Sequence, residues 1–100
     1  MKRDILIVKS SNPPIVEIDS QARAAYVRFK NTKVAKTISE DKEDGLIVAI
    51  DLDKDGDVVG VEIIGVSEFG VRELLLRAPV TAPKIDLSKA RYVAADCVEA

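Results

Sequence analysis

Residues 46–66 read LIVAIDLDKDGDVVGVEIIGV, two apolar runs separated by Lys54, Asp55, Gly56 and Asp57. Asp-Gly between two such runs is the strongest short-range signal of a β-hairpin, because both residues tolerate the positive φ of a tight turn. A two-residue loop of Asp55 and Gly56 pairs Leu52 with Val59, Ile50 with Val61 and Val48 with Ile63. One face of the hairpin is then wholly apolar. Slipping the pairing by one residue scatters the same side chains over both faces, which makes this register unique. The opposite face keeps Ile47, Ala49, Val58 and Ile64 beside Asp51, Asp53 and Glu62 and is expected to be partly covered and partly wet.

Towards the N-terminus, residues 5–8 form a short apolar run ended by Ser10, Ser11, Asn12, Pro13 and Pro14, and residues 15–18 form a second. Asp19, Ser20 and Gln21 suit a loop. Ala25, Val27 and Phe29 then alternate with Tyr26, Arg28 and Lys30 in the period of a half-buried strand, expected to pair with the strand before it. Asn31 and Thr32 allow another reversal, after which Val34, Lys36 and Ile38 continue the alternation, completing an antiparallel meander. Residues 40–45 carry four negative charges and one positive and read as a solvated loop.

Towards the C-terminus, Ser67 is an N-cap candidate, with Glu68 favourably placed at the positive end of the helix dipole. Val71, Leu74, Leu75 and Ala78 follow at helical spacing. Gly70 weakens this helix by up to about 1 kcal/mol relative to Ala, and Pro79 ends it after about three turns. Asp86 is placed to cap a short turn through Leu87, Ser88 and Lys89 before residues 91–94 extend as a final strand. The expected class is α+β: antiparallel hairpins and a meander packed with one helix in the C-terminal half and a final short strand. No βαβ repeat suggests a parallel sheet.

One hundred residues fit a single domain, 1–100, and 47% hydrophobic against 32% charged residues is a globular balance. Aromatic residues make up only 4% and Trp is absent, so base-stacking platforms have little to be built from. The net charge of −2 gives no electrostatic footprint for nucleic acid or an anionic membrane, and neither partner is expected. No His is present, which removes the commonest general base and the commonest transition-metal ligand. A lone cysteine, Cys97, forms no internal disulfide, and no stretch has the flanks of a signal peptide or the length of a spanning helix; a cytoplasmic location is expected. Cys97 follows Asp96, which would raise its pKa, and reads as an inert thiol rather than a nucleophile.

Asp51, Asp53, Asp55, Gly56 and Glu62 fall on D-x-D-x-D-G-x-x-x-x-x-E, the letter pattern of a calcium-binding EF-hand loop. That loop needs flanking helices and oxygens converging at about 2.3–2.6 Å, whereas here the flanks are strands. On an extended strand Asp51 and Asp53 point to the same face about 6.8 Å apart. Turn chemistry explains the letters separately: Asp55 and Gly56 make the turn, while the flanking acids and Lys54 keep the hairpin tip soluble. A weaker variant has Asp51 and Glu62, diagonal neighbours on one face, holding a divalent ion with water; weaker still is a carboxylate-dependent hydrolase that uses the same two as acid and base. Tyr26 and Arg28 share a strand face and read as ordinary sheet decoration. Arg72, Glu73 and Arg77 read as a solvated helix side, with Glu73 and Arg77 an i, i+4 pair.

The order IVEID at 15–19, AYVRF at 25–29, Asp51-Leu52-Asp53, Gly56 and VGVEI at 59–63 resembles the bacterial and archaeal family catalogued as domain of unknown function 2283. The resemblance covers about residues 15–70, leaving a helix and strand at 67–95. Arg23 stands where that family usually has an acid. The resemblance implies a small β-rich module of unassigned activity, and the same acidic letters then belong to the family's hairpin.

Without a catalytic constellation or a motif calling for a cofactor, the expected role is a non-enzymatic binding or assembly module that self-associates through sheet surface or edge. The alternatives are a calcium-binding protein using Asp51, Asp53, Asp55 and Glu62, and a neutralising partner of another small protein.

Overall fold

The computed structural model describes residues 5–41 and 45–94. Cys97, the end of the C-terminal segment, and the acids at 43 and 44 lie outside these residues. Among the described residues there are eight strands and one short helix: β1 (Leu6–Ile7), β2 (Ile15–Asp19), β3 (Ala24–Arg28), β4 (Lys36–Asp41), β5 (Ile47–Leu52), β6 (Val58–Ile64), α1 (Val71–Leu76), β7 (Val80–Thr81) and β8 (Arg91–Ala94), with a 3₁₀ turn at Leu87–Lys89. The sheet dominates: six strands run in the order β4-β5-β6-β3-β2-β8, and β1 pairs with β7 in a separate two-stranded piece.

The hairpin of β5 and β6 forms where Asp-Gly places it, with Val48 opposite Ile63 and Ile50 opposite Val61. Its tip differs from expectation. Leu52 pairs with Val58 rather than Val59, because a bulge after Asp51 shifts the register. The cause is loop length: Asp53 N–H donates to Asp57 O at 2.9 Å and Gly56 N–H to Asp53 O at 3.0 Å, so three residues, Lys54 to Gly56, make the loop. Gly56 supplies the left-handed conformation such a loop requires, at φ 84°. The extra residue turns Val58 into the core, where the uninterrupted register would have placed it on the opposite face.

The expected meander is also interrupted. β3 pairs antiparallel with β2 and β6, while β4 crosses to the far edge and, among the described residues, pairs with β5 alone. Burial accounts for the choice: β6 is apolar at Val61 and Ile63 and covers Val27 and Ala25 of β3, whereas β4 offers Lys36, Ile38 and Glu40 on the same face. β4 starts at Lys36 and runs through Asp41, taking in two residues of the expected loop. The final strand β8 joins β2 in parallel, so the sheet is mixed rather than wholly antiparallel.

The core residues of the six-stranded sheet lie on one of its faces: Val16, Ala25, Val27, Val48, Ile50, Leu52, Val58, Val61 and Ile63. Val71, Leu74 and Leu75 of α1 pack there, with Val8, Val66, Val80 and Ile85. The helix is shorter than the sequence spacing suggests. It begins after Gly70, not at Ser67, and covers six residues, stopping before Pro79. With no side-chain cap, its first donor is satisfied from β8: Val71 N–H donates to the Tyr92 hydroxyl at 2.9 Å. Asp86 caps the 3₁₀ turn as expected, its carboxylate accepting from the Ser88 N–H and hydroxyl. No described helix is long and apolar enough to cross a membrane.

Candidate functional site

The opposite face of the sheet carries a chain of polar contacts across its strands. On β2, Glu17 accepts from Arg28 of β3, with Arg28 Nε to Oε2 at 3.1 Å and Nη2 to Oε1 at 3.2 Å. The Arg28 guanidinium lies 4.9 Å from the Tyr26 ring centroid, within cation–π range. Tyr26 then passes over β6 and donates its hydroxyl to Asp51 Oδ2 on β5 at 2.8 Å. Asp51 Oδ1 accepts from Thr37 Oγ1 on the edge strand β4 at 2.6 Å. Side chains of four strands, β2, β3, β5 and β4, are thus linked across the sheet, with β6 crossed between them.

The crossing is possible because Gly60 stands opposite Asp51 on β6. A Cβ at residue 60 would overlap Tyr26 Cζ and Oη. A glycine inside an otherwise β-branched strand marks such a close approach, and this is the signal in the sequence that foretells it. Burial first, and then the Asp51 carboxylate, hold the Tyr26 phenol far above its ordinary range, so it stays a donor. The hydrogen bond to Glu17 raises the Arg28 pKa further.

At the hairpin tip, Asp53 is only 7% exposed. Its Oδ2 accepts from Lys30 Nζ at 2.7 Å, and its Oδ1 accepts the backbone N–H groups of Asp55 and Asp57 at 2.9 and 3.0 Å. Lys30, then the N–H groups, lowers the Asp53 carboxyl below its ordinary value, and Asp53 raises Lys30 in turn. Asp55 is exposed at the turn, and Asp57 meets Lys9 at 3.5 Å.

Of the four acids with EF-hand spacing, Asp51 and Glu62 sit one register step apart on the outer face, as Asp51 pairs with Gly60 and Ala49 with Glu62. Asp53 and Asp55 belong to the turn. Both oxygens of Asp51 and both of Asp53 are already hydrogen-bonded inside the protein. Among the described residues, no three acids or thiols cluster as a metal site. Tyr26 and Arg28 share a face, as their alternation requires; their partners Asp51 and Glu17, the Thr37–Asp51 bond and the Lys30–Asp53 pair were not foreseen.

In comparison with protein families, residues 15–67, more than half of the chain, fit the model described as protein of unknown function (DUF2283). The chain is a member of the DUF2283 family. Neither a curated protein nor a solved structure matches it. The DUF2283 match spans β2 to β6 and contains every residue of the chain from Glu17 to Asp51, with Gly60. Helix α1 and strand β8 lie beyond it.

Proposed function

We propose that this chain is a non-enzymatic binding or assembly module that associates with copies of itself through its sheet. The supporting observation is strand β4. It stands at the sheet edge, hydrogen-bonds to β5 on one side, and is exposed at five of its six residues. An edge of this length is a ready template for another strand. The outer face adds apolar surface, with Ile47 39% exposed and Ile15 and Ile64 half-buried. The side chains with chemical potential are spent on one another: Tyr26 and Thr37 on Asp51, Arg28 on Glu17, and Lys30 on Asp53.

Light scattering on the purified chain, from low micromolar to millimolar concentration, tests this. Mass rising towards that of a dimer is expected. A mass that stays monomeric throughout overturns the reading.

A further inference from the structure

Beyond self-association, we infer that the outer face of the six-stranded sheet is the docking surface for a basic segment of another protein, with a Lys or Arg side chain of that segment seated in a hollow beside Glu62. The strand pairing fixes what this face presents. Its charged residues are Glu17, Asp19, Asp41, Asp51 and Glu62 against Arg28 and Arg91, a net charge of −3. The whole chain carries −2, so its acidic character is concentrated here. Among the described residues no second layer covers this face: its side chains are exposed or half-buried, and only the small residues Ala24 and Gly60 are buried.

Most of this charge is not met within the chain. Arg28 is held by both oxygens of Glu17, which neutralises that pair alone. Asp51 accepts from the hydroxyls of Tyr26 and Thr37, which carry no charge. Asp19 accepts the backbone N–H of Ala22. Glu62, half-buried in the middle of the face between Ala49 and Tyr26, has no hydrogen bond or ion pair among the described residues. A half-buried carboxylate without a donor gains most from an incoming cation. Beside it lies a hollow of about 380 Å³ lined by Glu17, Asp19, Ala24, Tyr26, Glu62 and Ile64. Ala24 and Ile64 suit the methylene stem of a Lys or Arg side chain, and the carboxylates suit its charged end.

Six strands of about five residues make a face of roughly 24 by 17 Å, the extent of a small, transient protein contact. A second copy is not the occupant, because two such acidic faces repel each other; copies that meet through β4 extend the sheet and leave this face open. A cation that brings N–H donors need not break the contacts already made. Each Asp51 oxygen accepts one hydrogen bond and keeps a second lone pair, so Tyr26 and Thr37 stay in place.

Titration of the full chain with a short synthetic peptide of alternating Arg and Ala, followed by backbone-amide NMR, tests this. Saturable shifts are expected at Glu17, Asp19, Ala24, Tyr26, Glu62 and Ile64, weakening as salt rises, and none with the peptide carrying Glu in place of Arg. Glu62→Gln, which keeps the shape and removes the charge, should bind the Arg peptide roughly 3- to 10-fold more weakly. Glu68→Gln, which removes an exposed acid away from this face, should bind as the unmodified chain does. Shifts spread over the exposed acids, or equal weakening by both substitutions, would mean general attraction to an acidic protein and overturn the proposal, as would no shift at millimolar peptide. Spermidine binding in the hollow as tightly as the peptide would assign it to a free polyamine and overturn the protein partner. If Glu62→Gln does not fold, the map of shifts on the unmodified chain decides.

Discussion

The Tyr26 hydroxyl donates to Asp51 Oδ2 at 2.8 Å across a strand that lies between them, and it does so over Gly60. The glycine is therefore a packing requirement of the outer face. Gly60→Ala puts a methyl group into the Tyr26 ring and forces the side chain off its acceptor. Overpacking of this kind costs about 1–3 kcal/mol. Tyr26→Phe, which removes only the hydroxyl from a charged acceptor, should cost about 1–2 kcal/mol. Urea denaturation of both variants and of the double variant measures the coupling. The double variant should lose less than the sum, because the substitutions break the same contact; strict additivity would show that the ring and Gly60 act independently.

A second prediction concerns Arg23, which ends the β2–β3 loop with φ 55°, the left-handed region that a side chain disfavours. Its carbonyl is held by the N–H groups of Gly65 and Val66 at 2.8 and 3.0 Å, so the conformation is fixed from outside the loop. Arg23→Gly relieves the strain but makes the unfolded chain freer. The balance should be a stabilisation of about 0.5–1 kcal/mol, seen as a higher urea midpoint. An unchanged or lower midpoint would show that the Arg23 side chain makes contacts worth more than the strain.

How much of this was legible in the sequence differs by level. The face each residue occupies followed from alternation: Val48, Ile50, Val61 and Ile63 share the core face because a shift of the pairing by one residue would divide them between the two faces. The bulge after Asp51 did not follow, since two-residue and three-residue loops both use Asp55 and Gly56, and the choice rests on the hydrogen bonds that Asp53 accepts from the Gly56 N–H and donates to the Asp57 carbonyl. Strand order was also hidden. Period-2 alternation says which way a side chain points and nothing about which strand lies beside it, and the insertion of β6 beside β3 was needed to bring Tyr26 to Asp51. The helix was read on its correct face at Val71, Leu74 and Leu75, but its start after Gly70 depends on Tyr92, twenty-one residues away.

The Asp53–Lys30 pair, buried at Asp53 and half-exposed at Lys30, predicts the response to pH. The folded-state pKa of Asp53 is lowered, so its contribution is complete above the unfolded carboxyl value of about 3.9 and is lost as pH falls through the depressed folded value. Lys30 is raised, so its contribution is complete below about 10.4 and is lost as pH rises through the folded value. The pair therefore supports the fold from mildly acidic to mildly alkaline pH and fails in strong acid and strong alkali. Asp53→Asn keeps an oxygen for the turn N–H groups but not the charge. Its urea midpoint should fall less steeply than that of the unmodified chain as pH drops below about 4. Parallel acid limbs would mean that other carboxylates control acid unfolding.

The last prediction follows from the acids themselves. To bind calcium through Asp51, Asp53, Asp55 and Glu62, the protein must release Tyr26 and Thr37 from Asp51, and Lys30 and two backbone N–H groups from Asp53. Breaking the Asp53 contacts also opens the turn that sets the β5–β6 register. An ion preferring six to eight oxygens would gain two carboxylates from the outer face and two from the tip, which the strands hold apart. Millimolar calcium should therefore leave the backbone-amide NMR resonances of residues 51–62 in place. Saturable shifts confined to these residues, with the remaining strand resonances unchanged, would show that the hairpin gives up its internal hydrogen bonds for a cation.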